Sequence, residues 1–244
     1  MQASKTEIIT QLKKEILALQ GFKVSRSAGQ VDVGLGPILD AFPEGCFPLG
    51  AVHEFICEGL EDSAATGGFI TALLAPMMPA GGATLWISSK RTLFPPALKS
   101  FGIEPDRVVF VDLPNESDVA WVMEEALKCA GLSAVVGEMG ELSFTTSRRL
   151  QLAVEQSRVT GFILRNTPRK LGTTACVSRW KISSLPSEPA DGLPGIGFPR
   201  WNVELLKVRN GSPGTWQIEW AAGTFRLPSR NLTAISLEQK KKTG

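Results

Sequence analysis

The hydrophobic pattern changes period along the chain. Near the N-terminus, Ile8, Leu12, Ile16 and Leu19 recur at helical spacing. Ser4 precedes Glu7 by three residues, a capping-box signature. The pattern predicts a helix over 4–20, stopped at Gly21. Residues 21–36 are polar and glycine-bearing and read as a linker. From Gly50 onward short apolar runs alternate with helical patterns. Strands are predicted at "AVHEFIC" (51–57), "ATLWIS" (83–88), "RVVFVDL" (107–113), "LSAVVGE" (132–138) and "VTGFILRN" (159–166). Helices are predicted at "AATGGFITALLAPM" (64–77), 117–130 and "TTSRRLQLAVEQSR" (145–158), with a short one at "LFPPALKSFGI" (93–103). The strands are apolar on both parities, as in a parallel sheet covered on both faces. Their alternation with helices predicts an α/β fold. After Thr173 the pattern changes. "TACVSRWKISSL" (174–185) is a strand with no helix before it, and "SEPADGLPGIGFP" (187–199) is a loop. "WNVELLKVRNGSPGTWQIEWAAG" (201–223) is a β-hairpin turning at 210–214. The expected organisation is an N-terminal helix and linker (1–40), one core including the hairpin (41–236) and a disordered tail (237–244).

Composition narrows the class. The hydrophobic set is 43% and charged residues 20%, which suits a globular chain and excludes a coiled coil. With 26 basic and 24 acidic residues the net charge is +2, so global charge does not point to nucleic acid. No apolar run approaches the ~20 residues of a membrane span, and the N-terminus lacks the core and cleavage site of a secretory signal. Four cysteines with no CxxC pair and a single histidine favour a reduced, cytoplasmic setting and no metal site. His53 lies inside a predicted buried strand, where a packed core residue is expected and a Ser-His-Asp set is not. "PGIGFP" follows no strand and opens no helix, so it is no dinucleotide fingerprint.

Residues 51–76 pose the chemical question. A strand, a glycine-bearing turn and an apolar helix form the layout of a phosphate-binding loop. Laid over GxxxxGK[ST], the stretch keeps Gly59, Thr66, Gly67 and Gly68, with Gly67 about where the lysine belongs. No Lys or Arg occurs between Glu54 and Pro76, and Glu58, Glu61 and Asp62 add the opposite sign. A unit charge pair at ~4 Å is worth about 4 kcal/mol at an effective dielectric near 20. The roughly half charge of a helix N-terminus does not replace it. Two readings stand: a nucleotide site without its cation, or a tight strand-to-helix turn kept for packing. On either, no cofactor is expected and ATP binding is disfavoured. Glu138 ends an apolar strand, where open α/β sheets bind ligands. It either holds a metal through water or faces solvent. "LWISSK" ends in Ser88, Ser89 and Lys90 and supplies no general base. Two basic groups remain: Arg148 and Arg149 on a helix, and Arg165, Arg169 and Lys170 around a loop, with Arg179, Trp180 and Lys181 just beyond. They read either as a contact for single-stranded nucleic acid or a protein partner, or as solvated surface charge.

The order of these segments, above all "FPLGAVHEF", "TSRRLQLAVEQSRVTGFILR" and "SRWKISSLPS", resembles the ImuA family, RecA/SulA-like accessory proteins of mutagenic translesion DNA synthesis. The resemblance covers about residues 40–222. It implies a RecA-like ATPase core with a mostly parallel central sheet covered by helices. It implies a phosphate loop at 58–69 with Gly67 at the lysine position, and Glu138 as the Mg²⁺-associated carboxylate. Lys90 falls at the catalytic glutamate position and Asn166 at the nucleotide-sensing glutamine. Residues 167–175 match a shortened DNA-binding loop. The N-terminal helix, with Ile8, Leu12 and Ile16, matches the element that RecA docks on its neighbour, although it could equally cap this chain's own core. The implied partners are RecA, ImuB and an error-prone DNA polymerase. The expected function is a non-catalytic adaptor in SOS-induced mutagenesis. The alternatives are a weak RecA-type DNA-dependent ATPase and a SulA-like inhibitor of cell division.

Overall fold

A computed structural model describes residues 31–78, 82–187 and 197–228. The strands are β1 (Val52–Cys57), β2 (Ala83–Ser88), β3 (Val108–Asp112), β4 (Leu132–Met139), β5 (Thr160–Asn166), β6 (Ser178–Leu185), β7 (Arg200–Val208), β8 (Gly214–Ala221) and β9 (Thr224–Arg226). The helices are α1 (Leu60–Met77), α2 (Val119–Leu127) and α3 (Phe144–Ser157). All nine strands form one sheet in the order β3-β2-β4-β5-β1-β6-β7-β8-β9. Pairing is parallel from β3 to β6 and antiparallel from β6 to β9.

The two faces of the sheet have separate cores. On one, α1 packs Phe69, Leu73 and Leu74 among Phe55, Trp86, Trp180 and Trp201. Phe55 and Trp180 stack with ring centroids 5.9 Å apart. On the other, α2 and α3 pack Val119, Met123, Leu127, Leu150 and Val154 against Ile87, Val135 and Ile163. Every residue of β1 is buried, because it has a strand on each side and helices on both faces. That explains why its sequence shows no alternation.

Several expectations are corrected. The short helix expected over 93–103 is present as a 3-10 helix at Pro95–Phe101. The α3 helix opens at Phe144, with the Ser143 hydroxyl accepting from the Thr146 N–H at 3.0 Å. The hairpin continues into a third strand, β9. The linker reading of 21–36 fails at its end, since Val33 and Leu35 are buried in the α1-side core. The helix over 4–20 with Ile8, Leu12 and Ile16, the tail over 237–244 and the loop residues 188–196 lie outside the described residues. Among the described residues no helix is long and apolar enough to cross a membrane.

Candidate functional site

The turn after β1 is shorter than a phosphate loop. Cys57 ends β1, and only Glu58 and Gly59 precede α1, with extended Gly59 as its N-cap. The first helical bond runs from Ser63 N–H to the Gly59 carbonyl at 3.0 Å. From there on the backbone N–H groups are used inside the helix, and only those of the first turn remain for other partners. Asp62 turns back on this start, accepting the Glu58 N–H at 3.3 Å. Glu58 itself pairs with Lys181 at 2.8 Å.

The motif residues are therefore helix residues. Thr66 is fully buried and its hydroxyl oxygen accepts the Cys57 thiol at 3.4 Å. Gly67 faces Leu93, and the Gly67 carbonyl accepts the Thr71 hydroxyl at 2.7 Å. A Cβ on Gly68 would sit 3.0 Å from Phe101 and 3.4 Å from Trp201, so this glycine serves a close approach to the aromatic cluster. Of the stretch 58–69, residues 60–69 lie in α1.

Glu138 lies at the end of β4 on the α1 face and is 5% exposed. One carboxylate oxygen accepts the Trp86 indole N–H at 2.6 Å and the other the Thr92 hydroxyl at 3.3 Å. Burial pushes its pKa up, against the hydrogen bonds from Trp86, Thr92 and Asn166 that lower it. Two cavities flank it. The more polar one, of about 350 Å³, is lined by Leu60, Ser63, Lys90, Glu116, Met139 and Asn166. An apolar one of about 470 Å³ is lined by Leu60, Gly67, Leu93, Phe94, Phe101 and Trp201. The Lys90 position is exposed at the rim of the polar cavity. Among the described residues no His, Cys, Asp and Glu gather in a group of three able to hold a metal.

The basic residues separate into three situations. Arg165 is not on the surface: it is fully buried and pairs with Glu54 at 2.9 Å. Its other donors go to the carbonyls of Gly140 and Lys170 at 3.1 Å each. Arg148 and Arg149 lie on α3 and pair with Glu155 at 3.8 Å and Glu124 at 2.5 Å. Arg169 and Lys170 are exposed on the loop after β5. Glu54, which the sequence reading left out, proves to be the centre of this region. It is fully buried on β1 and also accepts Arg179 and Thr174, each at 2.8 Å. A lone carboxylate in a buried central strand was the available signal, because a buried charge requires a partner. The histidine is as expected: His53 is fully buried, its Nε2 donating to the Pro48 carbonyl at 2.8 Å and its Nδ1 facing the Ser178 hydroxyl at 2.6 Å. Burial lowers its pKa to about 4, partly opposed by the Pro48 hydrogen bond.

Protein ImuA from Caulobacter vibrioides, in strains NA1000 / CB15N and ATCC 19089 / CIP 103742 / CB 15, is 36% identical over 196 residues. The alignment covers 75% of this chain and 80% of each relative. The chain belongs to the ImuA family. No protein-family model matches it. The fold of this ImuA-family chain is RecA-like. It superposes on the crystal structure of the RadB recombinase with a TM-score of 0.54 at 11% identity, covering 81% of this chain and 99% of that one.

Proposed function

We propose that this ImuA-family chain is a non-catalytic RecA-like accessory protein of SOS-induced mutagenic translesion DNA synthesis. Family membership supports a translesion accessory role in general. The observation that carries the non-catalytic part is the start of α1 at Leu60, with only Glu58 and Gly59 between it and β1. A phosphate loop works by aiming free backbone N–H groups and a lysine at the phosphates. Here the first turn alone keeps free N–H groups, and Gly67 is a helix-interior residue packed towards Leu93. Glu138, which would have to hold Mg²⁺ through water, already accepts an indole and a hydroxyl, and Lys90 stands where the catalytic acid would be.

A protein of this build acts by contact. On this reading it contacts RecA, the ImuB–polymerase assembly or both, and it binds neither ATP nor metal. The test is calorimetry with ATP and Mg²⁺, and turnover with single-stranded DNA, on the wild type and on Gly67→Lys. The expected result is no binding and no turnover in either, because restoring the lysine does not unwind the helix turn beneath it. DNA-stimulated hydrolysis that Glu138→Ala abolishes overturns the proposal.

A further inference from the structure

The segment 167–177 leaves β5 and returns to β6 without regular secondary structure. A loop of this kind is ordinarily mobile. This one is held at many points along its length. Its carbonyls accept from four side chains: Lys170 from Arg165 at 3.1 Å, Gly172 from Arg179 at 2.6 Å, Thr174 from Lys207 at 2.8 Å and Ala175 from Arg209 at 3.0 Å. Its N–H groups are held as well. Thr167 donates to the Cys57 carbonyl at 2.8 Å, Arg169 to Glu141 at 3.0 Å and Ala175 to the Ser147 hydroxyl at 2.9 Å.

The anchor of this arrangement is Glu54, buried with Arg165 and Arg179. Burying these charges carries a large desolvation penalty, and well-packed apolar residues of similar volume would often stabilise a fold more. What the charges add is a fixed course for the loop. On its outer side the loop displays Arg169 and Lys170, with Leu171 52% exposed beside them. Neither cationic side chain enters an ion pair among the described residues.

We infer that Arg169, Lys170 and Leu171 form a preorganised tip for docking a protein whose surface offers an apolar pocket rimmed by carboxylates. The inference rests on the accessory reading above and names its contact surface. Fixing the tip in advance removes the ordering entropy that a mobile loop would lose on binding. Nucleic acid fits the tip less well. The loop itself carries no aromatic residue, and Trp180 beyond it is fully buried, so no platform for base stacking is present there. Two cations give a salt slope of only about −0.7 per phosphate on a single strand.

The test uses the purified full chain, the double variant R169E/K170E and the single variant Leu171→Asp. These positions are exposed, so circular dichroism should be unchanged. Binding is measured to purified RecA, to purified ImuB and to oligothymidylate. Wild type should bind one of the two proteins, and both variants should weaken that binding by on the order of tenfold or more. Variants that bind the protein as wild type does overturn the docking tip and leave the accessory reading standing. Variants that lose oligothymidylate while keeping the protein overturn it in favour of a nucleic-acid contact. Wild type that binds neither protein overturns both readings together.

Discussion

Glu54 and Glu138 are buried carboxylates one strand apart, on β1 and β4 with β5 between them. In the register, Glu54 lies beside Ile163 and Glu138 beside Leu164, so the two point to opposite faces of the sheet. Glu138, on the α1 face, has neutral donors: an indole, a hydroxyl and an amide. Glu54, on the α3 face, has two guanidinium groups and a threonine. The acid that a sequence motif marks is thus built into neutral packing, while the unmarked acid organises a charged scaffold for the neighbouring loop. A buried carboxylate on a strand is therefore read from its donors. Neutral donors satisfy it in place, whereas cations with donors to spare extend its order outwards to the chain around it.

The sharpest way to break the contrast is Glu54→Ala. It removes the buried partner of Arg165 and Arg179, leaving Arg165 only the exposed Glu141 at 3.5 Å, and a loss of about 3–5 kcal/mol is expected, read by urea denaturation. Hydrogen exchange over 167–177 should rise, while that of α1 changes less. If the two segments respond alike, the loop is not organised through Glu54.

Acid separates the α1 face further. His53 has a folded pKa of about 4 against 6.5 unfolded. Below pH 6.5 the unfolded chain binds the additional proton, so the stability present above 6.5 is lost as pH falls towards about 4. This amounts to roughly 3 kcal/mol. Glu138 acts in the opposite sense. Its raised pKa means that its burial penalty, present at neutral pH, is relieved as acid protonates it. A His53→Gln variant should flatten the His53 part of the profile, measured as the denaturation midpoint against pH.

Next comes Trp86→Phe, which keeps a ring but removes the indole N–H from Glu138. A loss of about 1–3 kcal/mol is expected for the unsatisfied acceptor. Glu138→Gln in the same background should recover part of it, in a double-mutant cycle read by thermal melting.

The smallest effect tests α1 itself. The Gly67 Cβ direction meets Leu93 at 3.7 Å, an ordinary contact. Gly67→Ala should therefore stabilise by about 0.5–1 kcal/mol, as for any helix interior. Destabilisation would indicate that this glycine serves a loop conformation.

Much of the fold was legible because burial leaves a direct trace in the sequence. "ATLWIS" is β2 at the predicted bounds, and β1, β4 and β5 differ by a residue at an end. The register of the antiparallel end was less legible: β9 has only three residues, too few for alternation to show. The candidate site was less legible still. Gly59, Thr66, Gly67 and Gly68 follow a motif spacing, yet Gly59 caps α1 and the other three lie inside it, where Gly68 packs closely on Phe101 and Trp201. Local sequence does not distinguish the two, because a glycine is compatible both with a phosphate loop and with the interior of a helix. Arg165 read as surface charge because its partner, Glu54, is over a hundred residues away in the chain.

Legible in the residues alone, then, were the alternating strands and helices, the buried histidine and the absence of any Lys or Arg between Glu54 and Pro76. Periodicity and side-chain type act locally, and they are written in neighbouring residues. Only the tertiary structure decided that α1 begins directly after β1, that Trp86 occupies Glu138, and that Arg165 and Arg179 meet on Glu54. Those outcomes depend on which distant groups share a buried volume, and there the desolvation of each charge is settled by whichever partner the fold brings to it.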